Sequence, residues 1–323
     1  MGTIIGAGFS SGQEVYKFFT RFGDMSFYGT ICAGILFVLI GACTLYKIYD
    51  KDIGSYRTYL EGVVGGKIAA AVEILTYIFM MSTVCIMFSG SGAIFNQKFN
   101  FPYWAGVFIM MALTYFFLCF GAEGLIMVNK LLTPFMIVGI TLLAIYSIAT
   151  KSAEVFSNIH IPVARETFSA LLYISYNCLG LVPIMAPLKG YISGKKTAIR
   201  AGAFGGGIIF IMLFLINLSL YLFPEAHGFQ IPLLRISQIL NPYVEWIYFF
   251  IIIAAMLTTA VGDSFAILNS SFIPKKIPKK ASALILCLLS IPLSLVGFST
   301  LVGNLFAFFG FLGLFILFLI LAA

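Results

Sequence analysis

Three carboxylates and two short runs are the parts of this chain whose residue types can do chemistry in an apolar setting. Glu14, Glu73 and Asp263 each stand inside a long hydrophobic stretch. An ionised side chain costs on the order of 3 kcal/mol or more at the centre of a membrane helix, so each must hold a proton, a cation or a counter-charge. The run GAGFSSG at residues 6–12 offers a different resource. Glycine costs a helix interior roughly 1 kcal/mol against alanine, and serine competes for backbone hydrogen bonds, so this run frees main-chain groups. The run YNCLGLVP at 176–183 does the same, because Pro183 removes an N–H and clashes with the preceding turn while Gly180 lets the backbone unwind. Free N–H groups at the start of a half-helix attract an anion, and free carbonyls attract a cation.

The elements that must position these groups are membrane helices. The 323 residues are 61% hydrophobic and 10% charged, against about 25% charged residues in an average soluble domain. Ten apolar segments are long enough to span a bilayer, near 1–20, 25–48, 68–95, 102–120, 124–150, 164–190, 200–223, 242–270, 281–298 and 299–323. None shows the period-2 alternation of a lipid-facing strand, so the expected fold is all-α and embedded in a membrane. The net charge of +7 sits in short clusters between apolar runs, which reads as topology and excludes nucleic-acid binding. Twelve Lys and Arg fall in loops 2–3, 6–7 and 8–9 and six on the other side, so segment 1 runs from inside to outside.

Several classes are disfavoured. The six cysteines, Cys32, Cys43, Cys85, Cys119, Cys178 and Cys287, are scattered singly and read as apolar packing residues. His160 and His227 fall in outer loops and read as solvated, and no nucleotide-binding motif, catalytic triad or metal-ligand cluster is present. A membrane enzyme is therefore not expected. No basic region precedes the first apolar run, so no signal peptide is visible. If segment 1 spans the bilayer, its inner half precedes Met1, and the expectation is a start further upstream.

Interruptions in the first and sixth of ten segments divide the chain as five plus five, with repeats at 1–150 and 151–323. Because five is odd, the second repeat enters from the opposite side. Such an inverted repeat, with discontinuous helices in matching places, predicts a secondary transporter with its site near the midplane. Non-helical backbone at that depth survives only where it lines a polar cavity or is buried in protein. Ordinary kinks and small-residue packing faces are the alternative explanation of both runs.

The stretch GTIIGAGFSSGQEVYKFF resembles the opening helix of the YkvI-type bacterial membrane proteins, and more distantly that of the amino acid–polyamine–organocation superfamily with its LeuT-type fold. The resemblance implies a sodium site between the break in segment 1 and the middle of segment 8. Laid on the superfamily pattern, the carbonyls of Gly2, Ile5 and Ala255 and the hydroxyls of Thr258 and Thr259 become its ligands. Ala255, Thr258 and Thr259 share one helix face at i, i+3 and i+4, and five oxygens suit a small hard cation. Hydrogen bonding of the threonines to their own preceding turn, or to a neighbouring helix, is the competing account. Phe9 stands where sodium-dependent relatives have an asparagine, so a second sodium site is not expected.

The same pattern puts a small solute, an amino acid or an amine, against the N–H groups of Ala7, Gly8, Phe9 and Ser10 and against Tyr176, Asn177, Cys178 and Gly180. No cofactor beyond a sodium ion is implied. Asp263, one turn beyond Thr259, is expected on the ion's exit path or as a proton-coupling acid, with pairing to a nearby lysine as the alternative. Glu14 is expected at an outer gate, and Glu73 beside Lys67 or Lys130. Lys130 itself reads as snorkelling to the inner edge. The loop PEAHGFQIPLLRISQILNP is long enough for a short amphipathic lid helix. A rival function on the same fold is a nutrient receptor, of the kind seen in spore germination, that binds a solute without moving it.

Overall fold

The computed structural model describes residues 5–151, 164–270, 272–273 and 276–322, and every regular element among them is helical. Segment 1 is built from α1 (Ala7–Ser11) and α2 (Gln13–Phe18), followed by a 3-10 turn at Thr20–Met25. The first half continues with α3 (Ser26–Asp50), α4 (Tyr56–Val64), α5 (Gly66–Phe99), α6 (Tyr103–Leu118) and α7 (Gly121–Lys151). The second half holds α8 (Ala164–Leu179), α9 (Leu181–Met185), a 3-10 turn at Ala186–Tyr191, α10 (Lys195–Leu222), α11 (Pro232–Leu240), α12 (Pro242–Leu268), α13 (Lys279–Ser294) and α14 (Phe298–Ala322). Among the described residues, six of the helical stretches are long and apolar enough to cross a membrane by themselves. α6 and α13, at 16 residues each, are shorter than the roughly 20 residues a perpendicular span requires.

The protein is a multi-pass membrane protein, and segments 1 and 6 are the interrupted ones. Segment 1 breaks twice, at each end of GAGFSSG. Gly6 is extended (φ −80°, ψ −172°), and Gly12 is left-handed at φ 79°, a conformation that only glycine adopts at little cost. The interruption is confined to the two ends of the run, since residues 7–11 form a helical turn. Side-chain bonds hold that turn: Ser10 Oγ donates to the Gly6 carbonyl (2.8 Å) and Ser11 Oγ to that of Gly8 (3.0 Å). Segment 6 breaks more gently. Gly180 keeps near-helical angles (φ −83°, ψ −14°) between α8 and α9, and Pro183, lacking an N–H, leaves the Leu179 carbonyl without its i+4 donor.

Backbone contact joins the halves at α3 and α10. A Cβ on Gly41 would lie 2.8 Å from the Gly202 carbonyl oxygen, and one on Gly206 would lie 2.5 Å from that of Phe37. Small residues let membrane helices approach this closely. Polar groups reinforce the same boundary, where Thr20 Oγ1 donates to Asn217 Oδ1 (2.9 Å) and Asn217 Nδ2 to Ser26 Oγ (2.8 Å). Ion pairs fit the orientation read from the loops. Lys189 pairs with Asp52 and Lys195 with Asp50 on the basic side. On the opposite side Lys98 meets Glu245 (2.8 Å) and Lys151 meets Glu225 (2.7 Å).

Candidate functional site at the two helix breaks

At the start of α1 the Ser10 N–H closes the first intrahelical bond, on the Gly6 carbonyl at 2.8 Å. Helix geometry gives the N–H groups of Ala7, Gly8 and Phe9 no partner inside α1, so the expected set of four donors contracts to three. The Phe9 side chain is buried. Above this turn the outer side is covered: the Tyr248 hydroxyl donates to the Ser10 carbonyl, and Leu233 of α11 sits 2.9 Å from where a Gly12 Cβ would stand. α11 is the short helix expected in the outer loop, with Pro232, Leu233, Leu234, Ile236 and Ser237 buried.

Of the expected cation ligands, Thr259 is the one that meets the main chain beside Gly6. Thr259 Oγ1 lies 2.9 Å from the position a Gly6 Cβ would take, so a hydroxyl of α12 touches the main chain at the first break. The neighbouring Ile5 is fully buried. Thr258 Oγ1 donates to the Ala255 carbonyl (3.0 Å) and lies 3.8 Å from Met136 Sδ. That bond is the own-turn bond left open by the sequence. It also sets two oxygens at a separation suited to one cation bound at about 2.4 Å from each. Gly2, the fifth expected ligand, lies outside the described residues, as does His160.

The residues of segment 6 divide between two faces. Tyr176 points to segment 1 and donates to Glu14 Oε2, and the Glu14 carboxylate lies directly against Gly8, where any Cβ would collide with it. Asn177 donates to its own helix at the Tyr173 carbonyl (2.8 Å). Together with Cys178 it lines an apolar cavity of about 170 Å³ against Phe37 and Gly41 of α3 and Gly206 of α10. Gly180 is half-buried, with Ile184 and Met80 nearest to where its Cβ would stand. Of the four residues expected to line this break, Tyr176 thus faces segment 1 while Asn177 and Cys178 face the cavity, because neighbouring residues on a helix point about a quarter-turn or more apart.

The remaining acids have other partners. Asp263 is buried and accepts from Thr83 of α5, a hydroxyl rather than a lysine. Thr83 Oγ1 also lies 2.7 Å from the Met80 carbonyl. Glu73 pairs with Arg57 of α4 at 3.3 Å, away from both breaks, where Lys67 or Lys130 had been expected. The Glu61 carboxylate, 2.6 Å away, raises the Arg57 pKa further. Lys130 is exposed, as snorkelling requires. His227 departs from its expected solvated state: its ring packs on Tyr16 at 4.5 Å and its Nε2 meets the Leu220 carbonyl at 2.8 Å.

Tyr248, Tyr173, Thr83 and Leu233 were missed as site neighbours. Two had a signal: Tyr248 shares the face of Ala255 and Thr259 at i, i+7 and i+11, and Tyr173 shares that of Tyr176 and Gly180 at i, i+3 and i+7.

Comparison with known proteins bears on this geometry. The chain superposes on the substrate-bound outward-open state of a Na+-coupled sialic acid symporter with a TM-score of 0.67, over 97% of this chain and 73% of that one, at 14% sequence identity. The fold is LeuT-type. By sequence it is 26% identical over 320 residues to the uncharacterized membrane protein YkvI of Bacillus subtilis (strain 168), spanning 97% of this chain and 91% of that protein. It is 24% identical over 318 residues to the uncharacterized protein YyaD of the same organism, with 98% and 92% covered. No family model matches.

Proposed function

We propose that this protein is a secondary transporter that moves a small amino-acid-like solute by alternating access between two inverted repeats, 1–150 and 151–323. Sodium is the favoured coupling ion, held by the main chain of Gly2 and Ile5 and by Ala255, Thr258 and Thr259. The solute binds between the breaks, against the N–H groups of Ala7, Gly8 and Phe9 and against Tyr176. The observation that carries this proposal is the Thr259 hydroxyl at the Gly6 backbone. It links the non-helical start of α1 to mid-α12, so a cation bridging them ties the break to a continuous helix. Asp263, hydrogen-bonded to Thr83, stands one turn towards the inner side of this point and is assigned to the ion's exit path.

The test is the melting temperature of the purified protein in sodium chloride against potassium chloride at equal ionic strength. A ligand that binds only the folded state stabilises it by RT ln(1 + [L]/Kd), about 2.7 kcal/mol at a hundred times Kd. A sodium-specific rise that disappears when Thr258 and Thr259 are both replaced by alanine is the expected result. Equal melting in the two salts removes sodium, and an absence of solute flux in reconstituted vesicles removes transport.

A further inference from the structure

We propose that Glu14 is the counter-ion of a solute ammonium group, so that the ligand of this site is a small amine cation for which a carboxylate is dispensable. This rests on the solute site assigned above and names its chemical class. Glu14 is 5% exposed, and among the described residues it makes no ion pair; its hydrogen-bond partner is the Tyr176 hydroxyl. Lys17, one turn further along α2, is half-buried and forms no ion pair with it among the described residues. A buried carboxylate without a contacting ion-pair partner is costly to the folded state, and a cationic ligand relieves that cost.

The surroundings select an organic cation. Phe18, Tyr173 and Tyr176 form a triangle of rings with centroids 5.5 Å (Phe18–Tyr173), 5.6 Å (Phe18–Tyr176) and 5.5 Å (Tyr173–Tyr176) apart. Ring faces attract alkylammonium groups within about 6 Å. Tyr173 is completely buried, yet its hydroxyl has no hydrogen-bond partner among the described residues. A buried hydroxyl left unmatched costs about 1–3 kcal/mol, and an ammonium N–H supplies what it lacks. The placement over Gly8 also argues against an anionic ligand group. The Glu14 carboxylate lies where a Gly8 Cβ would stand, so a solute carboxylate brought to that side of Gly8 would meet it as a like charge.

The experiment uses the purified full chain in potassium chloride and four probes: ethylamine, tetramethylammonium, alanine and propionate. Ethylamine and tetramethylammonium should raise the melting temperature, propionate should not, and alanine should do no better than ethylamine. Glu14→Gln should weaken both ammonium probes by about tenfold or more. Tyr173→Phe keeps the ring and removes the hydroxyl. It should weaken ethylamine roughly threefold to tenfold and leave tetramethylammonium, which has no N–H to donate, unchanged. No rise with either ammonium probe, an equal rise with propionate, or ammonium binding that survives Glu14→Gln overturns the assignment. If Glu14→Gln does not fold, the contrast between the two ammonium probes in Tyr173→Phe still decides it. Flux separates this from the transport proposal: ammonium binding without flux removes transport and keeps the subsite, whereas flux of propionate keeps transport and removes the subsite.

Discussion

Replacing Gly6 by alanine isolates the contact on which the cation site depends. Gly6 has φ −80° and ψ −172°, angles that any L-residue adopts, so the substitution brings no backbone strain. Its whole effect is the added Cβ, which falls 2.9 Å from Thr259 Oγ1, 3.5 Å from Thr259 Cγ2 and 3.6 Å from Thr259 Cβ. Only the oxygen is too close, and it must recede by about 0.5 Å to reach an ordinary carbon–oxygen contact. A β-branched side chain has few rotamers with which to do so, and Thr259 is buried. A ligand oxygen moved from about 2.4 Å to 2.9 Å no longer coordinates a small hard cation. Taking the loss as tenfold in affinity, about 1.4 kcal/mol, the sodium-specific stabilisation at a hundred times the original Kd falls from about 2.7 to about 1.4 kcal/mol. Melting curves in sodium and potassium chloride, with and without the substitution, measure it. An unchanged sodium-specific rise refutes the site, whatever happens to the melting temperature itself.

Three further outcomes follow from contacts outside the site. Gly41→Val drives a branched side chain into the Gly202 carbonyl, 2.8 Å from where even a Cβ would lie, and should cost about 2 kcal/mol; an unaltered melting temperature would contradict the backbone contact. Asn217→Ala removes the hydrogen bonds to Thr20 and Ser26 and should cost about 1–2 kcal/mol while sparing the sodium-specific rise, so loss of that rise would mean the cluster belongs to the site. Glu225 is held below the usual carboxylate range, first by the hydrogen bond from Lys151. A carboxylate depressed in this way contributes stability above its unfolded pKa of about 4.3 and loses it as pH falls through the folded value. The partners are 40% and 44% exposed, so Lys151→Met should cost less than about 1 kcal/mol at neutral pH. The difference from the native protein should shrink on acidification; growth on acidification would reverse the assigned sign.

Much of the architecture was legible because hydropathy fixes spans almost by itself. α3, α7, α10 and α12 end within a few residues of their expected limits, with the largest departure the five-residue-earlier start of α10 at Lys195. GAGFSSG announced a break, since glycine and serine fail as helix interior, yet it did not announce that Ser10 and Ser11 would hold a turn between two breaks through their own hydroxyls. Partner choice was the part that stayed hidden. Glu14 finds Tyr176 across 162 positions, and Asp263 finds Thr83 across 180. Those pairings depend on how far each helix is rotated about its axis, which packing across the bundle decides and local composition does not encode. Glu73 shows the same limit: proximity in sequence suggested Lys67, and a turn of α4 delivered Arg57 instead.

The meeting of α3 and α10 has a mechanical consequence. Helices that interlock through side chains must lift knobs out of holes before they can swivel. Here, at Gly41 and Gly202, peptide faces peptide with no side chain between. At that point the two helices are held by backbone packing rather than by interdigitated side chains, whereas further along the same pair the Phe210 ring is seated against Gly34. The crossing is thereby fixed at two places by two different means, bare peptide at one and a ring in a glycine notch at the other.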